Sequence, residues 1–117
     1  MVIALFTDFG TRDAYVAQLK GAILCIHPTA HLVDLTHEVH AFDVRPAAYV
    51  LSAAGRYFAA RTIFVAVVDP GVGTARRPVL LTTQAEKCYV GPDNGLFTRV
   101  IEREGLQDAY MLTQSAY

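Results

Sequence analysis

Apolar positions along the chain follow two rhythms. Val2–Phe6, His31–Leu35 and Ile63–Val68 are short segments of strand length, the last an unbroken apolar run rich in β-branched residues. Between them, apolar residues recur at helical spacing: Val16, Leu19, Ile23 and Ile26 in one segment, Val44, Ala47, Ala48, Leu51 and Phe58 in the next. This order, β-α-β-α-β, predicts an α/β fold with a mostly parallel central sheet flanked by helices. The unbroken run Ile63–Val68 reads as the central strand, buried on both faces. Pro78–Thr83 and Cys88–Val90 read as further strands, joined as a hairpin around Gln84–Lys87. After the turn cluster Gly91–Gly95, a third helix is expected with Leu96, Phe97, Val100 and Ile101 inward and Glu102, Arg103 and Glu104 outward. Ala109–Leu112 reads as another strand.

Local signals mark the ends of these elements. Asp13 can cap the first helix and Asp43 the second, which has Pro46 in its first turn where proline is tolerated. The last residues, Gln114–Tyr117, add no closing element. This predicts one incomplete unit spanning 1–117.

Composition narrows the function classes. Apolar residues make up 53% of the 117, enough for one domain with a modest core. The formal charge is −1, which gives no footprint for nucleic acid or an anionic membrane. No apolar stretch reaches spanning length. Cys25 and Cys88 form no CxxC pair and are expected as reduced, buried thiols in a cytoplasmic protein.

Chemistry is expected where the strands end, because open α/β sheets bind ligands at the carboxyl ends of their strands. Three loops leave such ends: Thr7-Asp8-Phe9-Gly10, Thr36-His37, and Asp69-Pro70-Gly71-Val72-Gly73-Thr74-Ala75-Arg76-Arg77. In the third, Pro70 cannot extend a ladder and the glycines permit close backbone approach. Each acid alone is as readily a turn or cap residue; three such loops at one rim are harder to dismiss. Asp8-Phe9-Gly10 lacks the companion loops of a kinase, and Gly71-Val72-Gly73 lacks the lysine or third glycine of a nucleotide-phosphate loop. His37 and His40 with Asp34 have metal-ligand spacing only on a helix; at a strand end they read as surface or hydrogen-bonding histidines. Phe42 suits either a core plug or an exposed stacking surface. Asp93-Asn94 can cap the third helix, and Arg12 and Arg77 read as solvated charges.

Taken in order, TDFG, DAYVAQLKG, VDLTHEV, VVDPGVGTARR and GPDNGL resemble the amino-terminal part of the S-adenosyl-L-methionine (SAM) hydroxide adenosyltransferases, relatives of the SAM-dependent chlorinases and fluorinases. The five motifs run from Thr7 to Leu96. The resemblance implies hydrolysis of SAM to adenosine and L-methionine with no cofactor. It also implies an α/β domain followed by a small β-barrel domain absent from these residues, and a homotrimer with substrate between subunits. The family's catalytic Asp and Arg match Asp69 and Arg76; its His would lie beyond Tyr117. Asp8 matches the acid that holds the ribose diol, Asp13 a residue near the amino-acid end of the substrate, and Phe42 an aromatic beside the reacting carbon. Asp93 and Asn94 belong to the GPDNGL signature and are expected among the substrate-binding residues, with no specific contact assigned.

These residues suit attack on a sulfonium. Expelling neutral methionine needs no general acid, whereas water must be held behind C5′. Asp69 can accept its hydrogen bond, and Arg76 would keep that carboxylate ionised. A halide placed beside an ionised Asp69 would be repelled, so the pair favours water or hydroxide over chloride or fluoride. A non-catalytic adenosine- or SAM-binding module is the alternative from a different class.

Overall fold

The computed structural model describes residues 1–40, 43–68 and 77–112. They form a six-stranded sheet in the order β2-β1-β3-β5-β4-β6 with three helices. The strands are β1 (Val2–Thr7), β2 (His31–Thr36), β3 (Ile63–Val67), β4 (Pro78–Thr83), β5 (Cys88–Pro92) and β6 (Leu106–Met111). The helices are α1 (Tyr15–Ile26), α2 (Val44–Gly55) and α3 (Thr98–Glu104). β2, β1, β3 and β5 run parallel, while β4 is antiparallel to both β5 and β6. The sheet is therefore mostly parallel, with one reversed strand produced by the expected β4–β5 hairpin. Its three-residue turn, Gln84-Ala85-Glu86, closes with Glu86 at φ 62°, the left-handed residue this turn length requires.

From β1 the chain steps one way to β2 and the other way to β3. Right-handed crossovers then place α1 and α2 on opposite faces. The α2/α3 face holds the main core: Ala4, Phe6, Phe64, Ala66 and Tyr89 from the strands, Ala47 and Leu51 from α2, Leu96, Phe97 and Val100 at α3. The Phe64 and Tyr89 rings stack at 4.6 Å, and Phe58 meets Phe64 edge-on at 5.5 Å.

The other face is thinner than the apolar runs suggest. β3 alternates between buried Phe64 and Ala66 and half-buried Ile63, Val65 and Val67, so it is not sealed on both sides. No residue of α1 is fully buried: Val16, Leu19 and Ile23 are half-buried and Ile26 is 85% exposed. Both sheet edges, β2 and β6, are largely exposed.

Local expectations differ in detail. Asp43 caps α2 as expected, its carboxylate accepting from the Arg45 amide at 3.0 Å. Asp13 does not cap α1; the cap position is Ala14, with no side-chain cap bond. Asp93-Asn94 do not cap α3, which starts after Phe97. Phe58 lies beyond the end of α2 yet packs on the core. Cys25 is exposed and Cys88 half-buried, and both are free thiols.

Glu104 reverses its expected direction. Its side chain is buried, accepting from Thr83 Oγ1 at 2.7 Å and the Tyr89 hydroxyl at 2.8 Å. Lys87 lies beside it at 3.6 Å and donates to the Gly55 carbonyl at 2.9 Å. This polar cluster ties α2, α3 and the β4–β5 hairpin together. Burial, reinforced by the Glu104 carboxylate, raises the Tyr89 phenol far above its ordinary pKa.

Candidate active site

β1 and β3 are direct neighbours, paired in parallel from Ile3↔Ile63 to Thr7↔Val67. Their carboxyl ends therefore open at one rim. The Asp8 amide crosses between them to the Val67 carbonyl at 3.3 Å, so the half-buried Asp8 sits beside the end of β3. Asp69 follows two residues after Val67. Asp69, Arg76 and Phe42 lie outside the described residues.

The described residues on either side of positions 69–76 are placed by the sheet. β3 delivers the chain to the rim at Val68, and antiparallel β4 starts from the same rim at Pro78, opposite Pro92 at the end of β5. The Asp93 amide donates to the Arg77 carbonyl at 3.1 Å. Val68 and Arg77, which bracket the Asp69–Arg76 segment, are thus held at one edge of the sheet.

The Gly91–Gly95 loop supports this edge. Asn94 Nδ2 donates to the Val68 carbonyl at 2.8 Å, and Asn94 Oδ1 accepts from the Leu96 amide at 3.1 Å. Both ends of that amide are engaged by the protein. Gly91 is required by close packing: a Cβ there would overlap the Ala66 carbonyl oxygen and lie 2.8 Å from the Phe97 ring. Asp93 is exposed, and with Asn94 it borders a cleft of about 250 Å³ between α3, β4 and β6. Asp13 is exposed in the turn before α1. β3 lies between β1 and β5, so the loops bearing Asp8 and Asp93-Asn94 leave the strands on either side of it.

The β2 loop contributes a feature that residue spacing does not reveal. His37 is 5% exposed and Thr7 fully buried. The His37 Nδ1 lies 2.7 Å from Thr7 Oγ1, and its Nε2 lies 2.7 Å from Asp34 Oδ1. Lys20 donates to the other oxygen of Asp34 at 2.8 Å. These bonds, Lys20 first and His37 second, hold the Asp34 carboxyl below its ordinary value of 3.8. Asp34, His37 and Thr7 sit within two of the motifs noted above, but their pairing depends on β1 lying beside β2. No cluster of three metal-ligating side chains occurs among the described residues, and no helix there is long and apolar enough to cross a membrane.

Comparison with known proteins agrees with this architecture. The chain is 40% identical over 120 residues to the (R)-S-adenosyl-L-methionine hydrolase of Methanocaldococcus jannaschii, covering 99% of this chain and 45% of the relative. It is 45% identical over 107 residues to the hydrolase of the same name from Salinispora arenicola, covering 92% and 40%. A fluorinase from an Actinoplanes species is 32% identical over 136 residues, covering 97% and 46%. The chain thus spans less than half the length of these curated relatives. The crystal structure of an uncharacterized conserved protein from Thermotoga maritima superposes with a TM-score of 0.90 at 40% identity, covering 97% of this chain and 43% of that one. The family model for the SAM hydroxide adenosyltransferase N-terminal domain matches residues 3–117, and the chain belongs to that family.

Proposed function

We propose that this chain is the SAM-binding α/β domain of an enzyme that hydrolyses SAM to adenosine and L-methionine. The observation that carries the proposal is the adjacency of β1 and β3. It sets the Asp8 loop against the strand that leads into Asp69, in a chain 40–46% identical to several SAM hydrolases.

In this reading Asp8 takes the two ribose hydroxyls, since a carboxylate offers two acceptor oxygens to adjacent donors. Phe42 flanks the reacting carbon, and Asp13 lies toward the amino-acid end. Asp69 and Arg76 hold water or hydroxide behind C5′. Asp93 and Asn94 complete the substrate side of the rim, Asn94 by fixing the end of β3. Water attacks C5′ in line with the C5′–S bond. That bond's electron pair leaves with sulfur as neutral methionine, and the proton released by the attacking water passes to bulk solvent, giving adenosine, methionine and H⁺. The sulfonium is already a good leaving group, so positioning supplies much of the rate, on the order of 7–11 kcal/mol in well-oriented systems. No cofactor is needed. A β-barrel domain following this one supplies a catalytic His and further substrate walls, within a cytoplasmic homotrimer.

The test uses family-length protein containing this chain, incubated with SAM and analysed by chromatography. Adenosine and methionine in equal amounts are expected. SAM bound without turnover would make the protein a binding module, and 5′-halo-5′-deoxyadenosine formed with added halide would make it a halogenase. The isolated 117 residues are expected to turn over little.

A further inference from the structure

The geometry points to His37 as a positioning residue that fixes the Asp8 loop for its ribose contact, acting through Thr7. The inference rests on the role proposed above for Asp8. Two bonds join His37 to the loop: Thr7 Oγ1 to Nδ1 at 2.7 Å, and the Gly10 amide to the His37 carbonyl at 2.6 Å. They grip the loop on both sides of Asp8. Thr7 Oγ1 also accepts from the Phe9 amide at 3.2 Å, so both residues flanking Asp8 meet at one hydroxyl.

The bond directions are set from the outer end. Lys20 donates to Asp34, and the Asp34 carboxylate can only accept, so His37 Nε2 carries a proton and donates to it. In the neutral imidazole Nδ1 is then the acceptor and the Thr7 hydroxyl must donate to it. The Thr7 lone pairs are left facing the Phe9 amide. With the ring neutral, every partner in this chain has one orientation, and burial of Thr7 and His37 keeps water from substituting for either. A loop held this way presents its carboxylate without paying ordering entropy when a sugar arrives.

Two measurements test this on the whole chain. The first is long-range ¹H–¹⁵N correlation of the histidine side chains. His37 is expected in the Nε2-protonated tautomer; protonation at Nδ1 in the neutral ring overturns the inference whatever the protein binds. The second compares adenosine with 2′-deoxyadenosine by titration calorimetry, on wild type, His37→Asn and His37→Gln, each checked for its melting transition. Loss of one hydrogen bond to a carboxylate weakens binding by about tenfold or more, so wild type should prefer adenosine by that factor.

In His37→Asn the amide oxygen falls near the Nδ1 position and can still accept from Thr7. It should keep most of the preference. His37→Gln reaches toward Asp34 but not Thr7, and its preference should collapse to about twofold or less. An equal weakening for both nucleosides would indicate a purely structural role and overturn the inference, as would full retention in His37→Gln. Absence of any preference in wild type would instead refute the ribose role of Asp8, leaving the tautomer to decide the His37–Thr7 link. If neither variant folds, the tautomer measurement still decides it.

Discussion

The side-chain amide of Asn94 donates a 2.8 Å hydrogen bond to the carbonyl of Val68, the residue immediately before Asp69. A residue in the loop after β5 thereby sets the exit of β3. Asn94→Asp replaces the donor with an oxygen facing that carbonyl. A loss of about 1–3 kcal/mol in urea unfolding is expected. In turnover-competent protein kcat should fall about tenfold or more, because displacement of a positioning group is costly. Unchanged kcat would separate Asn94 from the placement of Asp69.

Lys87 and Glu104 form a buried pair in which the two ends are unequally supported. Glu104 also receives Thr83 and Tyr89, whereas Lys87 keeps only the Gly55 carbonyl among the partners described. Glu104→Leu should therefore cost about 3–5 kcal/mol by stranding the ammonium. Lys87→Met should cost less, and Lys87→Met/Glu104→Leu should recover part of the loss. Denaturant unfolding of the four proteins gives the coupling, expected at about 1–3 kcal/mol.

Tyr89 gives a stability profile at alkaline pH. Its folded pKa is raised by burial first and by Glu104 second, so the unfolded chain loses the phenolic proton before the folded one does. With fewer protons bound in the unfolded state, stability falls as pH rises above about 10, by up to about 1.4 kcal/mol per unit. Unfolding measured from pH 8 to 11 should show this slope, and Tyr89→Phe should flatten it while lowering stability at neutral pH.

Gly91→Ala should be among the most damaging single-methyl additions in the domain. The new carbon would meet the backbone oxygen of Ala66, which cannot swing aside like a flexible side chain. A cost of about 3 kcal/mol, at the upper end for overpacking, is expected in thermal or urea unfolding. Gly21→Ala, where a Cβ has nothing within 4 Å and the residue lies in α1, provides the control and should be neutral or stabilising.

Much of the architecture was legible because its signals are local. The Asp43 cap, the hairpin at Gln84–Glu86 and the alternation of strand and helix each follow from a few adjacent residues. Strand position was less visible. β2 forms an edge: only Leu32, Val33 and Leu35 of its six residues are apolar, and its place in the sheet is fixed by the crossovers as much as by composition. Glu104 misled for a related reason: charge normally marks the solvent side of a helix, but α3 sets it against Lys87, Thr83 and Tyr89. Asp13 looked like a cap and is not one. At the site, motif order points to Asp8 at a strand end, whereas the Thr7–His37–Asp34 chain needed the β1–β2 pairing to bring distant residues together. Asp69, Arg76 and Phe42 rest on the family resemblance.

The reversal at β4 has a consequence for how such proteins diversify. A segment whose two stems are rooted on the same margin can change its composition without re-registering any strand. Exchanging residues 69–76 for the corresponding segment of a halide-using relative is the modular graft this arrangement invites.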